Sequence, residues 1–201
     1  MLGTERLYTA EQTRALDRCA IVDHGVPGIT LMSRAARSAF DALVDSWPDP
    51  GHIQVLCGTG NNGGDGFLVA DNAHKRGIPV TVWQLGDASR IAGDAKIARD
   101  QALANGVDIR DWAGGILVGE GVVVDAMLGT GLGGDVRGDY AHAIEAINAS
   151  GAPVLAVDLP SGLCSDSGRV LGTAVRADLT VTFIGLKRGL FTLDAADHTG
   201  A

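Results

Sequence analysis

The chain has 201 residues, 46% hydrophobic and 20% charged, enough for one sizeable domain with its own core. A formal net charge of −8 argues against nucleic acid or an anionic membrane as the main partner. The 29 glycines beside only 4% aromatics suit tight strand-to-helix turns, not a tyrosine-rich binding surface.

Cys19, Cys57 and Cys164 lie far apart with no CxxC pair, so there is neither a disulfide framework nor a zinc signature. A reducing compartment is the simplest reading. Met1 to Glu11 lacks a basic-then-apolar leader, and no apolar run reaches membrane-spanning length. A soluble, cytoplasmic protein is expected, as a single domain over 1–201.

Thr9-Ala10-Glu11-Gln12 has the form of a capping box that opens a helix running to about Asp23. Ile29 to Trp47 carries a second helical pattern, with Leu31, Ala35, Ala39, Phe40 and Leu43 on one apolar face, stopped by Pro48 and Pro50. Regular alternation follows. A strand at 53–57 leads into Gly58-Thr-Gly-Asn-Asn-Gly-Gly-Asp-Gly66, read as a loop, and a helix at 67–76. Strands at 79–85 and 121–125 precede helices at about 90–105 and 137–149, and further strands fall at 153–158 and 179–184. Such alternation predicts an α/β fold with a mostly parallel sheet behind an N-terminal helical pair. The tail from Asp194 reads as a frayed end or as a lead into a further segment.

In an open parallel sheet, ligands bind beyond the carboxyl ends of the strands. Three strand ends stand out. The first meets the asparagine–glycine stretch, whose glycines let backbone amides approach a phosphate ahead of a helix N-terminus. The second ends in Asp125 and runs on through Gly129, Thr130, Gly131, Leu132, Gly133, Gly134 and Asp135. The third ends in Asp158, followed by Leu159-Pro160-Ser161-Gly162. Two aspartates at strand ends, each before a glycine-rich turn, predict one shared cleft.

Single motifs are weaker. Gly58-x-Gly60-x-x-Gly63 fits a dinucleotide fingerprint, but Asp87 overshoots the spacing of its ribose acid. Gly64-Asp65 stands where a phosphate loop needs Lys-Ser/Thr. Ser161 lacks the flanking glycines of a nucleophile elbow. Taken singly, Asp125 and Ser161 read equally well as turn or cap residues, while the rigid Pro160 near Asp158 favours a carboxylate held in a fixed pose. The five histidines show no metal or triad spacing and read as surface residues, and Lys187-Arg188 reads as a solvated pair or a phosphate contact.

The Gly60–Gly66 stretch, the Val-Val-Asp125-Ala-Met-Leu-Gly129-Thr-Gly run and the Val-Asp158-Leu-Pro-Ser-Gly162 turn together resemble the NAD(P)H-hydrate epimerase family, over nearly the whole chain. The resemblance implies a three-layer αβα, Rossmann-like sandwich. It implies an isomerase that interconverts the R and S forms of NADHX and NADPHX, the hydrated forms of NADH and NADPH, in nicotinamide nucleotide repair. Substrate contacts then fall on Asn61, Asn62, Gly63, Gly64 and Asp65, on Gly129 to Asp135, and on Asp158. A potassium ion (K+) is implied, with Asn62, Asp125 and Ser161 as side-chain ligands. That set agrees with the oxygen preference of hard cations. The closing segment is similar to that of bacterial members in which an ADP- or ATP-dependent NAD(P)H-hydrate dehydratase domain follows, so the chain is expected to be fused to or to work with such a partner. Homodimers are common in the family. One departure is Ser33-Arg34 after Leu31-Met32, where many relatives carry an acidic or amide residue.

Asp158 is the expected catalytic acid/base, on a rigid turn at a strand end. A classical NAD(P)-dependent oxidoreductase and a non-catalytic nucleotide-binding module remain as alternatives. The former lacks a Tyr-x-x-x-Lys pair here.

Overall fold

Apolar runs with little helical periodicity build the centre of the molecule. The structure is a computed structural model, describing residues 5–115 and 121–201. In chain order, β1 (Leu7–Tyr8) precedes α1 (Ala10–Arg18), a π-helical turn (Cys19–Asp23) and α2 (Gly28–Ser46). Then come β2 (His52–Cys57), α3 (Asn61–Lys75), β3 (Val80–Gln84), α4 (Gly93–Ala104) and β4 (Asp108–Asp111). β5 (Gly121–Ala126), α5 (Gly138–Ser150), β6 (Val154–Val157), β7 (Leu179–Val181) and β8 (Leu186–Lys187) complete the regular elements.

Six strands form one sheet in the order β4-β3-β2-β5-β6-β7, every pair parallel. The order runs outward from β2 in one direction, then restarts at β5 and runs the other way. The reversal lies between β2 and β5, and a crevice opens at such a point. Met32, Ala39, Phe40, Phe67, Val69 and Ala98 pack α2, α3 and α4 onto one face. Ala143, Ile144 and Ile147 of α5 meet Leu56 and Val123 on the other. The three-layer αβα expectation is met.

The predicted capping box is present: Thr9 Oγ1 accepts from the Gln12 amide at 3.2 Å, and the Thr9 amide donates to Gln12 Oε1 at 2.9 Å. Several expectations need correction. Helix α3 begins at Asn61, not near Phe67, so only Gly58–Gly60 remain as loop. A glycine-rich run is a poor helix former in isolation, but here tertiary packing demands its glycines. A Cβ on Gly63 would lie 2.0 Å from the Gly58 carbonyl oxygen. On α2 the core face is Met32, Ala36, Ala39, Phe40 and Leu43. Leu31 and Ala35 point instead into the cavity described below.

β4 escaped the sequence reading. Three of its four residues are charged, which suits an exposed edge strand and hides it from a hydrophobic pattern. The strand expected at 179–184 stops at Val181, after which the chain turns back into β8. β8 pairs in parallel with β1, Leu7 opposite Leu186 and Tyr8 opposite Lys187. The tail is not frayed: Ala195 is buried, and Ala201 exchanges backbone hydrogen bonds with the stretch at Asp178–Thr180. Among the described residues no helix is long and apolar enough to cross a membrane.

Candidate functional site

A cavity of about 930 Å³ opens at the carboxyl ends of the strands, across the point where the strand order reverses. That lies at the upper end of the range for small-molecule sites. Its floor comes from the segments after β2, β5 and β6, and its outer wall from α1 and α2. Thr13, Arg14 and Asp17 of α1 were not singled out by sequence. Their helix is amphipathic, and nothing in its pattern says that part of it faces a ligand. Arg14 reaches across and donates to the Thr130 carbonyl at 3.4 Å. Among the described residues no histidine lines the cavity.

The structure brings most of the expected residues together. Asn61, Asn62 and Asp65 line the cavity from the start of α3, Gly129 to Gly133 from the segment after β5, and Asp158 from the end of β6. Gly63 and Gly64 are buried beneath the wall, where Gly63 meets the Gly58 backbone and a Cβ on Gly64 would meet Met32 Sδ at 2.7 Å. Gly134 and Asp135 are exposed and lie beyond the lining residues. Asp87 has no part in the site: its carboxylate caps a short 3-10 turn by accepting from Ser89.

Asp125 and Ser161 lie beneath the cavity lining, each fully shielded from solvent and joined to it through the Met127 and Leu128 amides. The Asp125 carboxylate accepts from the Ser161 hydroxyl at 2.6 Å, the Ser161 amide at 2.7 Å and the Met127 amide at 3.2 Å. The Leu128 amide donates to Ser161 Oγ at 2.9 Å. Burial raises the Asp125 carboxyl to about 6, and the Ser161 and Met127 donors hold it from rising further. Asn62 packs against Gly129, where a Cβ would lie 3.3 Å from its own Cβ. Both polar atoms of the Asn62 side chain are buried without a hydrogen-bond partner among the described residues. An orphaned amide costs free energy unless something occupies it. An amide oxygen, a carboxylate and a hydroxyl are the donor chemistry an alkali cation accepts, so these residues fit the expected potassium.

Asp158 takes a left-handed backbone, φ 66°, uncommon for any residue but glycine. Its amide donates to the Val181 carbonyl at 2.8 Å, and the next amide turns back to Val157. The buried Lys187 forms an ion pair with Asp158 Oδ1. The same ammonium donates to Thr182 Oγ1 and to the Phe183 carbonyl, both at 2.8 Å. Thr182 Oγ1 and the Phe183 amide complete the contacts to Oδ1 at 3.3 and 3.4 Å. Lys187 is therefore not a solvated lysine. The parallel β1–β8 pair carries it under the site, and a two-residue strand has no periodicity that sequence could reveal.

Asp65 is half-buried and faces the cavity. Burial raises its carboxyl well above the usual range, with Asp158 and Asp17 adding repulsion and Lys187 opposing them. Burial and nearby Asp94 likewise raise Asp17.

A parallel sheet in this order, with a cavity across its reversal, defines a Rossmann-type α/β domain. A family model described as YjeF-related protein N-terminus matches residues 28–189, and the chain belongs to that family. It is 46% identical over 194 residues to the bifunctional NAD(P)H-hydrate repair enzyme Nnr of Coxiella burnetii, a match covering 96% of this chain and 40% of that protein. It is 36% identical over 209 residues to the NAD(P)H-hydrate epimerase of Limosilactobacillus fermentum, covering 98% of this chain and 94% of that one. Among solved structures, the yeast protein ynu0 (YNL200c) shares the fold, with a TM-score of 0.82 at 21% identity over 92% of this chain and 82% of that one.

Proposed function

We propose that the chain is an NAD(P)H-hydrate epimerase, an isomerase that interconverts the R and S forms of NADHX and NADPHX in metabolite repair. The observation that carries this reading is the meeting of two clusters on one cavity. Asn62 and the Lys187-held Asp158 line it, and the Asp125–Ser161 pair lies beneath, bonded to Met127 and Leu128 of the lining. Relatives named for this activity match across nearly the whole chain, and one of them is hardly longer than it.

The acidic chain holds an anionic dinucleotide through local groups. Backbone amides at the start of α3 and along Gly129 to Gly133 suit its phosphates, and Arg14 adds charge from α1. Asn62, Asp125 and Ser161 would hold a potassium ion, which would neutralise Asp125. Asp158 meets the hydrated carbon, C6. Lys187, Thr182 and the Phe183 amide all hold Oδ1, and no hydrogen bond from a described residue reaches Oδ2. That free oxygen is the one placed to exchange a proton with substrate.

The product S form feeds an ADP- or ATP-dependent dehydratase, either fused or separate. Bifunctional relatives carry more than twice the matched length in one chain. We place the enzyme in the cytoplasm. The test is chromatographic: NADHX enriched in one C6 epimer should equilibrate faster with the protein than without. Hydride transfer to an acceptor would support an oxidoreductase instead, and binding without exchange a non-catalytic module.

A further inference from the structure

Resting on the epimerase reading, we propose that Asp65 is a second catalytic residue, the proton donor to the departing C6 hydroxyl, while Asp158 accepts the proton of the incoming water.

The geometry around Asp158 leads there. An ammonium has three hydrogens, and Lys187 spends them on Asp158, Thr182 and the Phe183 carbonyl. It has none left for a substrate, so it acts as a positioning residue. Lys187, Thr182 and the Phe183 amide all donate to Asp158 Oδ1, so Asp158 faces the cavity as an acceptor. Yet loss of a hydroxyl from C6 requires a proton to be delivered. The donor must be another titratable group lining the same cavity. Among the described residues, the charged and titratable groups lining the cavity besides Asp158 and Lys187 are Arg14, Asp17, Arg34, Asp65, Asp94 and Tyr140. The arginines do not release protons at neutral pH. Tyr140 points its hydroxyl at the Leu85 carbonyl, 3.5 Å away. Asp17, on α1, and Asp94, on α4 beside Gly28, lie close enough for Asp94 to repel the Asp17 charge.

Asp65 differs. It sits in the second turn of α3, at the floor, and no hydrogen bond from a described residue holds its carboxyl. The charges that reach it are Asp158, Asp17 and Lys187, two negative and one positive. Lys187 bonds Asp158 and not Asp65, while Asp158 and Asp17 repel a charge on Asp65. Burial acts in the same direction on Asp65.

The exchange balances. Asp65 gives its proton to the C6 hydroxyl, and the C–O bond breaks with its electron pair leaving on water. The ring nitrogen's lone pair forms a C=N bond to C6. A water then attacks C6 from the other face, its O–H proton passes to Asp158 Oδ2, and the C=N pair returns to nitrogen. One water leaves, one enters, and the site resets when the proton moves from Asp158 back to Asp65.

Epimer exchange of NADHX by wild type, D65N and D65E, with kcat and KM separated, tests the assignment. The full chain should be used, with melting curves as a fold control. For D65N the expected result is a kcat lower by about 10²-fold or more with KM nearly unchanged, a melting temperature at or above wild type, and partial recovery in D65E. Unchanged kcat, or a rise in KM alone, would overturn the donor role while leaving the epimerase reading intact. Should D65N not fold, wild type in ¹⁸O-water decides: each epimerisation should place ¹⁸O on C6. Epimerisation without label above the spontaneous level would overturn hydroxyl departure. A wild-type protein that leaves the spontaneous rate unchanged would overturn the epimerase reading and the inference with it.

Discussion

Ser161 gives Asp125 both its backbone amide and its hydroxyl, at 2.7 and 2.6 Å, and so ties the end of β5 to the turn after β6. The same hydroxyl oxygen accepts from Leu128, drawing the segment after β5 into the contact. Replacing Ser161 with alanine leaves a buried carboxylate short of one donor and the Leu128 amide without its acceptor. S161A should lose about 2–3 kcal/mol of stability, and a urea titration would measure it. A loss under about 0.5 kcal/mol would mean that water replaces the hydroxyl.

Asp125 should also make stability depend on pH and on potassium. Its folded carboxyl, without a cation, is raised from 3.8 to about 6. The folded state then binds the proton more tightly than the unfolded chain, so stability falls as pH rises between those values and levels off above them. The span corresponds to about 3 kcal/mol at most. In choline chloride the melting temperature should fall between pH 4 and pH 7. Potassium should restore it, more at pH 7.5 than at pH 5, because a proton competes with the ion. D125N should fall less over the same range, the remainder coming from the raised Asp65 and Asp17 carboxyls.

Lys187→Met removes the cation from a pair in which both side chains are largely shielded, 3% and 17% exposed. Breaking one side of such a pair costs about 3–5 kcal/mol, so K187M should melt well below wild type. In D158N the uncharged partner no longer requires an ammonium, so adding K187M to D158N should cost less than adding it to wild type. Equal costs in the double-mutant cycle would mean that the two residues act independently. D158N alone should bind ligand and lose epimerase rate.

Gly63→Ala places a methyl 2.0 Å from the Gly58 carbonyl oxygen, itself part of the loop that meets β5. Neither backbone can yield easily, so a loss of about 1–3 kcal/mol or more is expected. At Gly60, where nothing lies within 4 Å of an added Cβ, alanine should be tolerated. Melting curves of the two variants would show the contrast.

The sheet was legible because its central strands are short, continuous apolar runs, the mark of strands covered on both faces. β4 was not, since an edge strand is under no pressure to be apolar. The floor of the site was legible because Asp125 and Asp158 each end a strand. Helix α3 was misjudged at its start because propensity scores glycine as a helix breaker, while Gly63 and Gly64 are there for close packing. Lys187 and the α1 wall were hidden for one reason: their roles arise from contacts between distant parts of the chain, and no local spacing records those.

The pairing of β1 with β8 gives the site an ordering in time. Lys187 is fixed only when the chain's first strand has met one of its last, and such distant contacts are closed late because loop entropy opposes them. Epimerase rate should therefore appear after the central sheet has formed. In a refolding mixture it would count only molecules whose two ends have joined, which makes the activity a sensor of completed assembly.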